Sequence, residues 1–324
     1  MRAVRDVFGV GTAVVDYFVR ADDALLEELL LIRGASNYMS RERLEGIHAR
    51  VKKKIFSSYP GDNARNLCEG VRALGGSAGY ASGIGKDAEG KIFRKNLRAR
   101  GIEPFLGMKR GGTGRIMTFI TPKRGSRERT FAVSLGGSVD YDEIPEKELA
   151  RSRFFYLTSI TAFCDGKIAR ASVEAMKFCK RTGVRVCFSL ESAPMVEVKR
   201  RKIIRLMKYV DMLFTNEEEA RALGCNERGL SELCDIVFLK KGARGSAVFS
   251  NGKKYEIPAY EAKVVDTTGA GDFYAAGVIY GLARGASAEN AGRVGSYLAA
   301  RAIEGAGARV GRINKKVIYG FLRK

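Results

Sequence analysis

Histidine is almost absent from this chain: His48 is the only one in 324 residues. A catalytic triad built on histidine therefore has one candidate, and zinc motifs that need two histidines are excluded. The six cysteines, Cys68, Cys164, Cys179, Cys187, Cys225 and Cys234, include no Cys-x-x-Cys pair. That scatter argues against a zinc site or a disulfide framework and leaves them as small apolar interior residues. No run of about eighteen apolar residues occurs, and the apolar cluster at 25–32 contains Glu27 and Glu28. The start, Met1-Arg2-Ala3-Val4-Arg5-Asp6, does not read as a signal peptide. A soluble cytoplasmic protein with no membrane partner is expected. No period of about 20–50 residues repeats, which excludes a solenoid.

What is present in excess is positive charge. Lys and Arg number 57 against 36 acids, a formal net charge of +21. Such a balance attracts anionic metabolites or nucleic acid. The basic groups, 52–54, 199–202 and 253–254, are dispersed with no interleaved aromatics and no recognisable nucleic-acid module. Solvated helix faces and phosphorylated ligands account for them better than specific nucleic-acid binding does. With 45% hydrophobic residues the chain can bury a large core, so one domain spanning 1–324 is expected. From about residue 150 onward, β-rich runs at 154–157, 184–188, 210–214 and 236–239 alternate with helical stretches such as 168–181 and 197–208. That alternation predicts a mostly parallel sheet with helices on both faces.

The chemistry concentrates at Asp266-Thr267-Thr268-Gly269-Ala270-Gly271-Asp272, which runs into a helical stretch. Glycines at a helix start let unpaired amides converge on one small volume, where the helix dipole favours an anion. Asp272 puts a carboxylate in that anion site, which is unfavourable unless the group has a task such as accepting a proton. Caps and close packing alone would also produce Asp, Thr and Gly there. The full seven-residue string, however, closely resembles the C-terminal signature of the PfkB/ribokinase family of sugar and nucleoside kinases.

The resemblance extends over most of the chain and implies an α/β, ribokinase-like fold with a small β-sheet lid. It implies that Asp272 deprotonates the acceptor hydroxyl and that the amides of Gly269, Ala270 and Gly271 form the anion hole. Asp16 follows the first β-rich run, read as a core strand ending near it, and the resemblance gives it a sugar-hydroxyl role. Tyr59-Pro60-Gly61-Asp62-Asn63-Ala64-Arg65-Asn66 resembles the N-terminal signature, with Pro60 where members carry a first glycine. Gly61, Asp62 and Asn66 are its acceptor-contact candidates. Two β-rich runs, 116–121 and 130–133, predict a hairpin, and the resemblance makes 16–46 and 105–135 lid segments. Arg129 is the candidate for meeting phosphates, with Arg124 and Arg127 close by.

Thr215-Asn216-Glu217-Glu218-Glu219 is explained by helix capping and is also similar to the family's Asn-x-x-Glu motif. That likeness implies Asn216 and Glu219 beside nucleotide phosphates, with Glu219 meeting magnesium through water. Lys241, Gly242, Gly245, Thr267 and Ser296 are further nucleotide candidates. ATP and magnesium are the implied cofactors, and the loop 304–309 resembles a region that binds a monovalent cation in some members. The long excursion after Asp16 is similar to adenosine-kinase-type members. The expectation is a kinase acting on a nucleoside, as monomer or homodimer. The alternatives are a kinase of a free or phosphorylated sugar, or a non-catalytic protein binding nucleotide or nucleic acid.

Overall fold

The structure, a computed structural model, describes residues 5–123 and 126–323, apart from the side chains of 123, 126 and 127. Arg124, and the side chain of Arg127, lie outside what is described. Fourteen strands are seen among the described residues. The first eight are β1 (Arg5–Val10), β2 (Val14–Arg20), β3 (Ser36–Tyr38), β4 (Ile55–Gly61), β5 (Ala78–Ile84), β6 (Glu103–Met108), β7 (Thr113–Lys123) and β8 (Ser126–Gly136). The rest are β9 (Ser152–Thr158), β10 (Arg185–Ser189), β11 (Met212–Asn216), β12 (Ile236–Lys240), β13 (Ser246–Ser250) and β14 (Lys253–Ile257).

Nine strands form one sheet in the order β14-β13-β12-β11-β10-β9-β1-β5-β6. All its pairings from β6 across to β12 are parallel, and β13 and β14 join antiparallel at one edge. Parallel strands covered on both faces need near-continuous apolar runs, which Phe154-Phe155-Tyr156-Leu157 and Ile236-Val237-Phe238-Leu239 supply. Alternate side chains feed two cores: Tyr156, Phe214 and Phe238 on one face, and Phe155, Leu213 and Val237 on the other. The helix Ala270–Ala283 is apolar nearly all round and is buried along almost its whole length. A helix of that composition belongs inside the protein.

The remaining five strands form a second sheet, β3-β8-β7-β2-β4. β7 and β8 are the expected hairpin, paired from Thr113↔Gly136 outward. Two expectations are corrected here. Residues 105–108, expected in a lid segment, belong to β6 in the large sheet, and 55–61 form β4 of the small one. Pro60 fits because β4 is an edge strand, where a missing amide hydrogen breaks no ladder. The first β-rich run is likewise two strands: the chain leaves the large sheet after Val10 and enters the small sheet at Val14, so Asp16 lies within β2.

One face of the small sheet, including Val19, Met117, Phe119 and Ala132, packs on helices α1 (Asp23–Glu28) and α2 (Arg41–Val51). By strand alternation the other face carries Asp16, Phe18, Tyr59, Ile116, Arg129 and Phe131. It looks toward the large sheet. Among the described residues no helix is long and apolar enough to cross a membrane, and all six cysteines are free.

The buried helix Ala270–Ala283 touches Ala288–Ala302 through glycines. A Cβ on Gly277 would sit 2.7 Å from the Gly295 Cα and the Val294 carbonyl oxygen, and main chain cannot move aside as a side chain can. Gly277→Val should therefore cost about 1–3 kcal/mol by overpacking and lower the thermal midpoint. An unchanged melting temperature would contradict this crossing.

Candidate active site

Gly269, at φ 76°, turns the chain into the helix Ala270–Ala283. The Ala270 amide donates to the Thr267 carbonyl at 3.2 Å. The amides of Gly269, Gly271 and Asp272 make no hydrogen bond among the described residues and stand at the positive end of the helix dipole. Of the three expected anion-hole amides, that of Ala270 is thus already engaged. The Lys240 ammonium lies over Gly271, 2.9 Å from where a Cβ would be.

Asp272 follows immediately and is 2% exposed. Its Oδ2 accepts from Asn66 Nδ2 at 2.9 Å and its Oδ1 from Asn63 Nδ2 at 3.1 Å. Burial, reinforced by the nearby Glu191 charge, pushes its pKa well above the ordinary carboxylate range, against the opposing pull of Asn66, Asn63 and Lys240. A carboxylate so raised binds a proton tightly, as a general base for an alcohol should.

Asn63 and Asn66 belong to helix α3 (Asn63–Ala73), which Asp62 caps. Asp62 accepts from the Arg65 and Thr12 amides, both at 3.1 Å, and fills the space a Cβ on Gly11 would need. Its φ is 128°, a region that favours glycine. Its carboxylate therefore serves the crossing from β1 to β2, and of the N-terminal candidates it is the one that does not line the hollow beside Asp272. Asp16, Gly61 and Asn66 do line it, together with Tyr59, Phe18, Arg65, Arg309 and Thr268. A Cβ on Gly61 would fall inside the Asp16 carboxylate. The buried Arg65 donates to Asn66 Oδ1 at 2.9 Å, to Asn96 Oδ1 at 2.7 Å, and pairs with Glu69. By claiming the Asn66 oxygen it leaves the amide nitrogen for Asp272.

On the other side of the 267–271 segment lies a cavity of about 680 Å³. It is lined by Gly242, Gly245, Thr267, Ser296 and Asn216, five of the nucleotide candidates, with Lys240, Tyr260 and Ala299. Lys241 is a correction: its ammonium ion-pairs with Glu227 and Glu256, both at 3.2 Å, on the opposite side of the strand end. Alternation along β12 turns Lys240 inward instead. Glu219 is 3% exposed and closes a capping box, accepting from the Asn216 amide at 2.9 Å and side chain at 2.8 Å. Among the described residues no cluster of three or more His, Cys, Asp or Glu could hold a metal ion. Glu219, both of whose oxygens accept from Asn216, suits contact with a magnesium through water rather than direct ligation.

Residues 34–315 match the family described as pfkB family carbohydrate kinase. The chain belongs to that family. It is an alcohol-accepting phosphotransferase of the sugar or nucleoside kinase type. The kinase is 28% identical over 256 residues to a protein of Archaeoglobus fulgidus named uncharacterized sugar kinase, covering 75% of this chain and 97% of that one. It is also 28% identical over 263 residues to 5-dehydro-2-deoxygluconokinase of Bacillus subtilis, covering 74% and 79%. Among solved structures it is similar to adenosine kinase from Sinorhizobium meliloti (TM-score 0.84, 29% identity) and to a probable sugar kinase from Rhizobium etli (TM-score 0.86, 26% identity). Each comparison covers 98% of both chains.

In this kinase Arg129 leaves the small sheet and contacts Thr268 and Asp266 of the signature loop. Burial would raise Asp266, but hydrogen bonds from the Thr268 hydroxyl and amide, the Gly307 amide and Arg129 outweigh it and hold the pKa at about 2. The acid beside the loop 304–309, where the sequence resemblance suggested a monovalent cation, thus already has a guanidinium partner. Four residues that face the site escaped the sequence reading: Asn63, Arg65, Lys240 and Glu191. For Glu191 and Lys240 the available signal was a charged residue at the carboxyl end of a parallel strand, where ligands gather.

Asp16 illustrates the tension between site and stability. Burial raises its pKa from 3.8 to about 7, with Arg65 opposing and Asp62 adding to the rise. The folded chain then holds this proton more tightly than the unfolded chain, so stability falls as pH rises across that window. Asp16→Asn should raise the melting temperature at pH 8 while weakening acceptor KM by about tenfold or more through loss of charged hydrogen bonds. A melting temperature at or below wild type at pH 8 would contradict this account of Asp16.

Proposed function

We propose that this kinase transfers the γ-phosphoryl group of ATP to the hydroxymethyl group of a nucleoside, adenosine-like in shape, with Asp272 as general base. The observation that carries the reading is the position of Asp272: buried, held by two amides, at the helix start that divides the acceptor hollow from the larger cavity. ATP would lie in the cavity of about 680 Å³, with Gly242, Gly245 and Ser296 at its walls. Its terminal phosphate would meet the Gly269 and Gly271 amides and Lys240. Magnesium would supply charge neutralisation on the phosphates, and Glu219 would be the residue to hold it through water.

The acceptor's ring hydroxyls would bond to Asp16 and Asn66, which leaves its primary hydroxyl toward Asp272. Asp272 takes that proton as the oxygen attacks the γ-phosphorus and the bond from that phosphorus to the ADP oxygen breaks, while the amides and Lys240 stabilise charge on the transferred group and ADP leaves. Arg129 ties the small sheet to the loop beneath it, so the sheet acts as a lid that excludes water from the reacting oxygen. The preference for a nucleoside rests on the apolar inner face of that sheet. Phe18 and Tyr59, packed edge to face with ring centroids 5.8 Å apart, share that face with Ile116 and Phe131 and offer a base a weakly polar aromatic wall.

A second reading, a phosphorylated sugar as acceptor, is favoured by the arginines of the same hollow. Arg65, Arg100 and Arg309 line it, and among the described residues Arg309 has the Tyr59 ring, 3.8 Å away, as its one partner. A panel of nucleosides, pentoses, hexoses and sugar phosphates, followed by ADP release, decides between them. The highest kcat/KM is expected for a nucleoside, and saturation only by a phosphorylated sugar would overturn that choice in favour of the second.

A further inference from the structure

Glu191 is a carboxylate that no part of the proposed transfer requires, yet it is built into the site. It follows β10 and Leu190 with φ 58°, a left-handed conformation that a glutamate adopts at a cost of about 1–3 kcal/mol. The Ser189 hydroxyl donates to its Oε1, and Asn63 Nδ2 donates to its Oε2 at 3.1 Å. The same Asn63 nitrogen donates to Asp272 Oδ1, also at 3.1 Å. An amide nitrogen carries two hydrogens, so one side chain serves both acids at once.

We propose that Glu191 is a positioning residue for Asp272, acting through the single Asn63 amide that the two carboxylates share. The proposal rests on the reading of Asp272 as the base. Asn63 is the first residue of α3, and its amide would be free to turn toward solvent or toward a phosphate if only Asp272 held it. Glu191, anchored by Ser189, fixes the rotamer, and Asn66 fixes the other Asp272 oxygen. The base is thereby aimed without being neutralised, since amide donors bring no counter-charge.

The charge of Glu191 has a second effect. Asp272 faces Glu191 beyond β10, Lys240 at the end of β12, the Tyr156 phenol of β9, and Asn63 and Asn66 of α3. The Glu191 charge also reaches Glu219. Of the groups around Asp272, Lys240 favours its ionised form and Glu191 opposes it, so Glu191 strengthens Asp272 as a proton acceptor.

The test compares wild type, Glu191→Gln and Asn63→Ala by kcat against pH with a saturating acceptor, alongside melting temperature and ATP KM. Glu191→Gln is expected to lower kcat about ten- to a hundredfold by misplacing the base, to leave ATP KM unchanged, and to move the acid limb of the profile to lower pH. Asn63→Ala removes a donor to Asp272 while keeping the Glu191 charge, so its acid limb should move to higher pH. A merely structural Glu191 would lower the melting temperature and leave the limb in place; that result, or wild-type kcat in Glu191→Gln, overturns the proposal. Wild-type phosphoryl transfer with no acid limb would instead overturn the reading of Asp272 as base, and the proposal with it.

Discussion

The structure depends on a conflict between an anion-seeking helix start and an aspartate placed in it. The unbonded amides of Gly269 and Gly271 and the ammonium of Lys240 create positive potential where Asp272 is buried. Removing a carboxylate from water raises its proton affinity, and Glu191 raises it further. The two asparagines on α3 prevent the group from being an unsatisfied buried charge without neutralising it. What results is a carboxylate of high proton affinity, fixed in place, as the proposed base requires. The fold on either side can be understood as the means of delivering those asparagines and that helix start to the same point.

That delivery explains the path of the N-terminal segment. The chain crosses from the large sheet to the small one between Val10 and Val14, and Asp62 stabilises the crossing by accepting the Thr12 amide in the space beside Gly11. The same Asp62 caps α3, so one side chain links the sheet crossing to the helix that carries Asn63 and Asn66. Arg65, one turn along, then settles which end of the Asn66 amide meets Asp272. Arg129 closes the circuit from the opposite side by joining the small sheet to Asp266. The hollow beside Asp16 is consequently walled by the small sheet, by α3 and by the loops at 268 and 308–309, and its character is divided: polar at Asp16 and Asn66, apolar at Phe18 and Tyr59, basic at Arg309.

The large sheet was legible in the sequence because parallel strands buried on both faces leave unbroken apolar runs, as at 154–157 and 236–239. The signature at 266–272 was legible because its functional groups are contiguous. The small sheet was harder. Its strand β4 carries Pro60 and Gly61, which read as a turn unless one knows that the strand lies at an edge. Asp16 was expected near the end of a core strand rather than within the small sheet, because nothing local distinguishes one long strand from two joined at Gly11. Lys241 was chosen over Lys240 for want of the strand register that turns alternate side chains inward. Glu191 offered only its place beyond the carboxyl end of β10, because its relation to Asp272 spans two distant segments and passes through the amide of a third.

The central claim, that Asp272 is the base at the junction of the two hollows, is tested most directly by turnover and nucleotide affinity measured together on Asp272→Asn. The substitution keeps size and hydrogen-bonding shape but removes the proton acceptor. A loss of about three or more orders of magnitude in kcat, with nucleotide Kd unchanged, is the predicted result. Turnover near that of the wild type would contradict it.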